Sequence, residues 1–305
     1  MQPESAIPEI AIMVEGQMGL TWARWQRMAR AVEDLGFVGL YRSDHFTNAE
    51  PPDEESLETW TSLTWLADRT ERIEFGPLVS PVSFRHPAML VRMAAAVQDL
   101  SGGRLTLGLG AGCMVREHEN FSYPLLDVPG RLKRFEEALT VISRLLAGER
   151  ATFSGEHYQF NDAILLPPPQ QRIPILIGGN GMKVTPRLVA RFADEWNGIY
   201  LTQERFAERS QRIDELLREN GRAPESVRRS IMTGLTFGRD DADVRRQLIG
   251  QTPDEARNAG RIAGTASEVK AQLAALAAVG VQRVMLQYLD YDDLSRLEAF
   301  AAAVS

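Results

Sequence analysis

A closed parallel (β/α)8 barrel, an α/β fold, is the class this sequence predicts, on three observations. Short apolar runs alternate with longer amphipathic segments throughout the 305 residues. Eight such runs are found, nearly every one followed by a helical pattern, and no Gly-, Ser- or Pro-rich linker divides the chain. The length also suits one barrel, which typically needs about 250 residues. Residues 1–305 are therefore expected to form a single domain. An open doubly wound sheet uses the same alternation, and the count alone does not separate the two.

The elements follow in order. EIAIMVEG (9–16) reads as the first strand, and TWARWQRMARAVEDLG (21–36) as its helix, stopped by Gly36. FVGLYRSDHF (37–46) is the second strand, with SLETWTSLTWLADRT (56–70) its helix and Ser56 placed as N-cap. RIEFGPLVSPVSF (72–84) is the third, followed by HPAMLVRMAAAVQDLSGG (86–103), with Pro87 in the first turn. RLTLGLGAG (104–112) is the fourth strand and VPGRLKRFEEALTVISRLLAGE (128–149) its helix. ATFSGEHYQFNDAILLPPPQQ (151–171) breaks the alternation as a hairpin or excursion. IPILIGGNG (173–181) is the fifth strand, PRLVARFADEWNG (186–198) a helix and GIYL (198–201) the sixth strand. Helix 203–220, strand 228–238, helix 266–280, strand 281–289 and a helix from Asp292 complete the chain, while charged residues 239–263 fit neither pattern. Trp60, Trp65, Met89 and Met93 fall at helical spacing and are expected in the core.

A net charge of −7 argues against an unaided nucleic-acid surface and favours a small-molecule substrate. Cys113 is the only cysteine, so no internal disulfide or thiolate metal cluster can form within one chain. That fits a reducing cytosol. The N-terminal stretch lacks a basic region followed by a long apolar run, and no segment approaches the ~20 apolar residues of a membrane span. We expect a soluble cytoplasmic protein without a membrane partner. No metal is expected either, because the four histidines lack a ligand spacing such as HExxH.

In a barrel of this kind, function collects at the C-terminal strand ends. Ser43, Asp44 and His45 end strand two, Pro77 to Pro81 strand three, Gly110 to Cys113 strand four and Gly178 to Gly181 strand five. Glycines there allow close approach to a phosphate, or merely a tight turn. GLGAG is not a dinucleotide fingerprint, because its third glycine is out of register. His45 can exchange a proton near neutral pH, and Asp44 can fix its tautomer or bind a ligand. Alternatively, the pair simply ends a strand. His86 reads as a helix start, His118 as part of a solvated helical turn and His157 as an excursion residue without a chemical role. Cys113 is a possible nucleophile, against a small buried strand-end residue.

At SDHF, FGPLVSPVSFRHPAML, DLSGGRLTLGLGAG, PILIGGNG, ARFADEWN and AGTASEV the chain resembles the bacterial luciferase-like superfamily, in its shorter branch that uses the deazaflavin coenzyme F420. The similarity is collinear over nearly the whole chain. It implies a TIM (β/α)8 barrel with an insertion after strand four or five, a flavin or deazaflavin in the barrel mouth and a homodimer. It also implies a non-prolyl cis peptide at Pro77-Leu78 or Leu78-Val79, with Pro77, Leu78 and Val79 behind the cofactor ring. Carried over, Asp44 matches an acid contacting the deazaflavin and His45 a proton donor or transition-state stabiliser. Ser80, Ala111, Gly112 and Arg116 match further cofactor contacts, and Gly178, Gly179 and Gly181 a phosphate-cradling turn. Cys113 stands where the glucose-6-phosphate dehydrogenases of this branch place a catalytic glutamate, and Ala49 or Glu50 replaces their aromatic residue. Cys113 and Glu117 are thus candidates for the substrate pocket, Glu117 with a surface role as its alternative. The activity implied is hydride transfer between the deazaflavin and a small organic substrate. An FMN-dependent monooxygenase using reduced flavin and oxygen, or a barrel that binds cofactor without turnover, are the alternatives.

Overall fold

The computed structural model describes residues 7–304. The first six residues, part of the N-terminal stretch read above, lie outside the described residues. The chain begins with β1 (Glu9–Val14), α1 (Trp22–Asp34), β2 (Gly39–Arg42), α2 (Thr59–Arg69), β3 (Glu74–Pro77), β4 (Ser80–Pro81) and α3 (Pro87–Leu100). Next come β5 (Leu107–Gly110), α4 (Val115–Asn120), α5 (Val128–Leu146), β6 (Ala151–Ser154), β7 (Gln159–Ala163), β8 (Ile175–Gly178) and α6 (Thr185–Phe192). β9 (Glu195–Ile199), α7 (Gln203–Glu219), β10 (Arg228–Phe237), α8 (Asp241–Gln247) and α9 (Pro253–Asn258) follow. β11 (Ile262–Gly264), α10 (Ala266–Ala278), β12 (Arg283–Gln287) and α11 (Ser295–Val304) end it.

The period of two along each strand separates two apolar sets. In β1, Ile10, Ile12 and Val14 join the core under the helices, whereas Ala11 and Met13 pack inside with Tyr41, Leu176, Met232 and Met285. Parallel pairing runs β3-β2-β1-β12-β10-β9-β8-β5-β4. β3 and β4 are halves of one barrel strand: β3 pairs with β2, then, past the cis Leu78–Val79 peptide, β4 pairs with β5. Counted so, the barrel has the eight strands expected, and a Phe75–Leu105 bridge brings the two ends of the order together. The seam leaves no room for side chains. A Cβ on Gly76 would sit 2.0 Å from the Thr106 carbonyl oxygen, and one on Gly108 2.0 Å from that of Pro77.

Several expectations need correction. Helix α6 stops at Phe192, and residues 195–199 form strand β9, so the sixth strand starts earlier than GIYL. Burial explains it: Glu195 to Gly198 are all buried in the sheet. Glu58, rather than Ser56, caps α2, and the Ser56 hydroxyl donates to the His45 carbonyl at 2.8 Å. Met89 is 56% exposed, outside the core that takes Trp60. The insertion is the antiparallel hairpin β6–β7, after strand four and its helix; Glu137 accepts the backbone N–H groups of Glu156, His157 and Tyr158 and pins it. The ambiguous stretch folds as α8, α9 and β11, which extends the sheet beside the end of β10. No helix among the described residues is long and apolar enough to cross a membrane.

Candidate active site

Strand β2 delivers Ser43, Asp44 and His45 to the C-terminal rim, and each side chain has a different partner. The Ser43 hydroxyl accepts from the Gly16 N–H at 2.8 Å and donates to Gln17 Oε1 at 2.7 Å. Asp44 is 1% exposed, with its carboxylate taken up by the Ser80 hydroxyl at 2.6 Å and by Arg85 through both oxygens. The Trp60 indole N–H donates to the same Ser80 oxygen at 3.1 Å, while Arg85 also reaches Glu58 at 2.8 Å. Asp44 thus ties β2 to the start of β4.

His45 pairs across the mouth instead of with its neighbour. Its Nδ1 lies 2.9 Å from Glu117 Oε1, and the Phe46 N–H donates to Glu117 Oε2 at 2.9 Å. A surface role for Glu117 is thereby overturned, since its side chain is 1% exposed; that of His45 is 26% exposed. Burial of the ring works against the imidazolium, but the Glu117 carboxylate, with Glu15 and Asp44 beyond it, outweighs that and raises the His45 pKa.

Around the end of β5, Gly112 has φ +86° and its carbonyl accepts from Arg131 at 3.0 Å. Ala111 packs partly buried against the core. Cys113 is exposed, contrary to a buried strand-end residue, yet partial burial of its sulfur and the Glu117 charge push its pKa up. Arg116 pairs with Asp53 at 2.6 Å and donates to the Asn48 carbonyl. His118, expected in a solvated turn, is 1% exposed, its ring between the Ser83 hydroxyl at 2.8 Å and the Met114 carbonyl at 2.6 Å. His86 caps α3, as a helix start should.

At the end of β8 the turn is tightly tied. A Cβ on Gly178 would lie 3.3 Å from Val79 Cγ1, so this glycine faces the cis segment. Gly179, at φ +128°, donates its N–H to the Asn197 carbonyl at 3.0 Å. The Asn180 side chain spans the Ile199 N–H and C=O. After Gly181, α6 starts at Val184 without a side-chain cap, whereas Thr21, Asp127 and Thr202 cap α1, α5 and α7. Pro186 has no N–H and the Arg187 N–H donates to the Val184 carbonyl at 3.0 Å, so the N–H groups of Val184 and Thr185, beside the glycine turn, are those left to fit a phosphate-bearing cofactor.

A further cavity of about 500 Å³ opens between the ends of β10 and β12, lined by Gly234, Thr236, Arg261, Gln287 and Arg296. Gln287 links it to the rim, accepting from the Tyr200 hydroxyl at 2.6 Å and donating to Glu15 at 2.7 Å. Among the described residues no group of three or more His, Cys, Asp or Glu could hold a metal ion. The pairing of His45 with Glu117 spans 72 residues, and its only sequence signal was an acid within a run of charges that reads as a solvated helix.

Eight parallel strands closed into a barrel, with polar and glycine residues at their C-terminal ends, define a TIM barrel. A family model described as Luciferase-like monooxygenase matches residues 9–260, and the chain belongs to that family. An F420-dependent glucose-6-phosphate dehydrogenase of Microbacterium testaceum is 35% identical over 167 residues, 53% of this chain and 48% of the relative. A protein of the same name from Intrasporangium calvum is 31% identical over 220 residues, 68% of this chain and 64% of its own. The chain thus spans from just under half to just under two thirds of the length of these relatives. The structure of an F420-dependent secondary alcohol dehydrogenase in complex with an F420-acetone adduct superposes with a TM-score of 0.83 at 17% identity, over 98% of this chain and 100% of that one. At that identity the likeness is one of fold.

Proposed function

We propose that this protein is a coenzyme F420-dependent oxidoreductase acting on a small organic substrate. The observation that carries the reading is the convergence, at one rim, of the His45–Glu117 pair, the Asp44–Ser80 contact and the glycine turn after β8, where Gly178 faces Val79. The F420-dependent names of the relatives support the choice of cofactor. When bound, the deazaflavin would exchange a hydride at its C5. Pro77, Leu78, Val79, Ala111 and Gly112 would hold the deazaflavin ring. Gly178, Gly179 and Gly181, with the N–H groups of Val184 and Thr185, would hold the phosphate. Asp44 acts through Ser80, which it fixes, since Arg85 and Ser80 already occupy its oxygens. Arg116 reaches the cofactor only by leaving Asp53. His45 holds or gives a proton beside the substrate, with Cys113 at the rim. Arg261 and Arg296 suit an anionic substrate in the cavity beside Gln287.

A homodimer belongs to the same proposal. Trp22 and Trp65, in edge contact at 6.2 Å, line with Met93 and Leu100 an apolar groove of about 1020 Å³ on the outer face of α1 to α3. Placement in a reducing cytoplasm is supported by the lone Cys113.

Titration of the purified protein with coenzyme F420 and with FMN, followed by absorbance or quenching, tests the reading. Saturable F420 binding is expected. Tight FMN binding with no response to F420 would favour the monooxygenase alternative and sink the proposal, while F420 binding without turnover on any alcohol or sugar phosphate would leave a binding barrel.

A further inference from the structure

We propose that Glu117 is a positioning residue for His45, fixing the tautomer with its proton on Nδ1 and leaving Nε2 as the working atom. The inference rests on the functional reading above. An ionised carboxylate only accepts hydrogen bonds. Glu117 Oε2 receives the Phe46 N–H and Oε1 lies 2.9 Å from Nδ1, so the proton between them belongs to the imidazole. The two contacts hold the carboxylate at both oxygens and deny it rotation. The His45 backbone is fixed as well, because its carbonyl accepts from Ser56 at 2.8 Å. Among the described residues, His45 Nε2 has no hydrogen-bond partner, and the side chain is 26% exposed.

The surroundings sharpen the assignment. The acids acting on the ring are Glu117 from α4, Glu15 after β1 and the adjacent Asp44. Asp44 is neutralised by Arg85, and Glu15 accepts from Gln17 and Gln287, which leaves Glu117 as the carboxylate in direct contact. An acid buried at 1% exposure and bonded to a ring nitrogen does more than anchor a short helix. It selects which nitrogen faces the substrate and favours the protonated ring.

The test labels the protein with ¹⁵N-histidine. With only four histidines, His45 is assigned by comparison with His45→Ala. Below saturation of the imidazole, wild type should show the Nδ1–H tautomer. Glu117→Gln should lower the His45 titration by about 1–3 pH units, as removal of an adjacent opposite charge does. Glu117→Asp keeps the charge and should keep the titration raised, which preserves the test if the Gln variant does not fold. With F420 present, the pH limb of turnover should move with the NMR titration, and Glu117→Gln should cost nothing further in a His45→Ala background. An unmoved titration, or an equal loss of turnover in that background, would overturn the proposal. The NMR readout needs no cofactor, so failure of F420 turnover with a shifted titration would count against the function and not against the pairing.

Discussion

At the N-terminal ends of the strands, Arg283 is completely buried and donates to Glu9 at 2.9 Å, Glu74 at 2.7 Å and the Tyr41 hydroxyl at 2.8 Å, with Glu195 3.6 Å away. At the C-terminal ends, His45 has one ring nitrogen held by Glu117 and the other open. Both ends bring charged residues from distant strands onto one axis. At the lower end the donors of Arg283 are consumed by the protein itself, which closes the barrel. At the upper end the ion pairs run outward, Asp44 to Arg85 and Arg116 to Asp53, and polar atoms remain for a ligand. The lower cluster therefore belongs to stability, and the upper one is where the proposed chemistry has groups to use.

That division can be broken by substitution. The largest effect should come from His45→Ala, which should lower turnover by roughly 10²–10⁴-fold. Cofactor affinity, read by the same titration, should change little; Glu117 keeps the Phe46 N–H but loses the ring, so urea unfolding should lose about 1–3 kcal/mol, and a loss as large as that at Arg283 would erase the contrast. Arg283→Met should do the opposite, costing about 3–5 kcal/mol in urea unfolding because it strands the buried Glu195 carboxylate. Unchanged stability there would show that the lower cluster is not what closes the barrel. Gly108→Ala should cost about 1–3 kcal/mol by forcing the β3–β5 seam apart. The smallest effect is a slope. Burial raises the Glu195 pKa above its ordinary 4.5, against the opposing pull of Arg283. The folded state therefore binds this proton more tightly, and the associated stability is present at low pH and is lost as pH rises through the raised value. Glu195→Gln should flatten that part of the stability profile; an unchanged slope would assign it to another group.

The barrel was legible because each strand carries two distinct sets, as Ile10, Ile12 and Val14 against Ala11 and Met13 show. The boundary at Phe192 was not, since no Gly or Pro marks it and Trp196 continues the apolar spacing of α6. Resemblance narrowed the cis peptide to Pro77–Leu78 or Leu78–Val79, of which the second is found, and composition could not. His45 stood out by its place after β2, but the sequence suggested Asp44 as its partner because the two are adjacent. A strand sends neighbouring side chains in opposite directions, so adjacency is poor grounds for contact. Glycine signals were mixed for a similar reason. Gly108 serves the seam and Gly179 a turn at positive φ, although both looked alike in sequence.

Strand β10 stays paired with β12 as far as Gly234 opposite Gln287, then runs on as Leu235 to Phe237 beside β11. Between these strands, α8 and α9 enclose a small core of their own from Val244, Leu248, Ala256 and Ala263. This lip is modular: the chain leaves the barrel at one strand and returns beside the same strand. Residues inserted or removed there need not shift the register of the eight barrel strands, and Arg246, Gln247 and Arg261 of this lip line the cavity beside Gln287 independently of the barrel beneath.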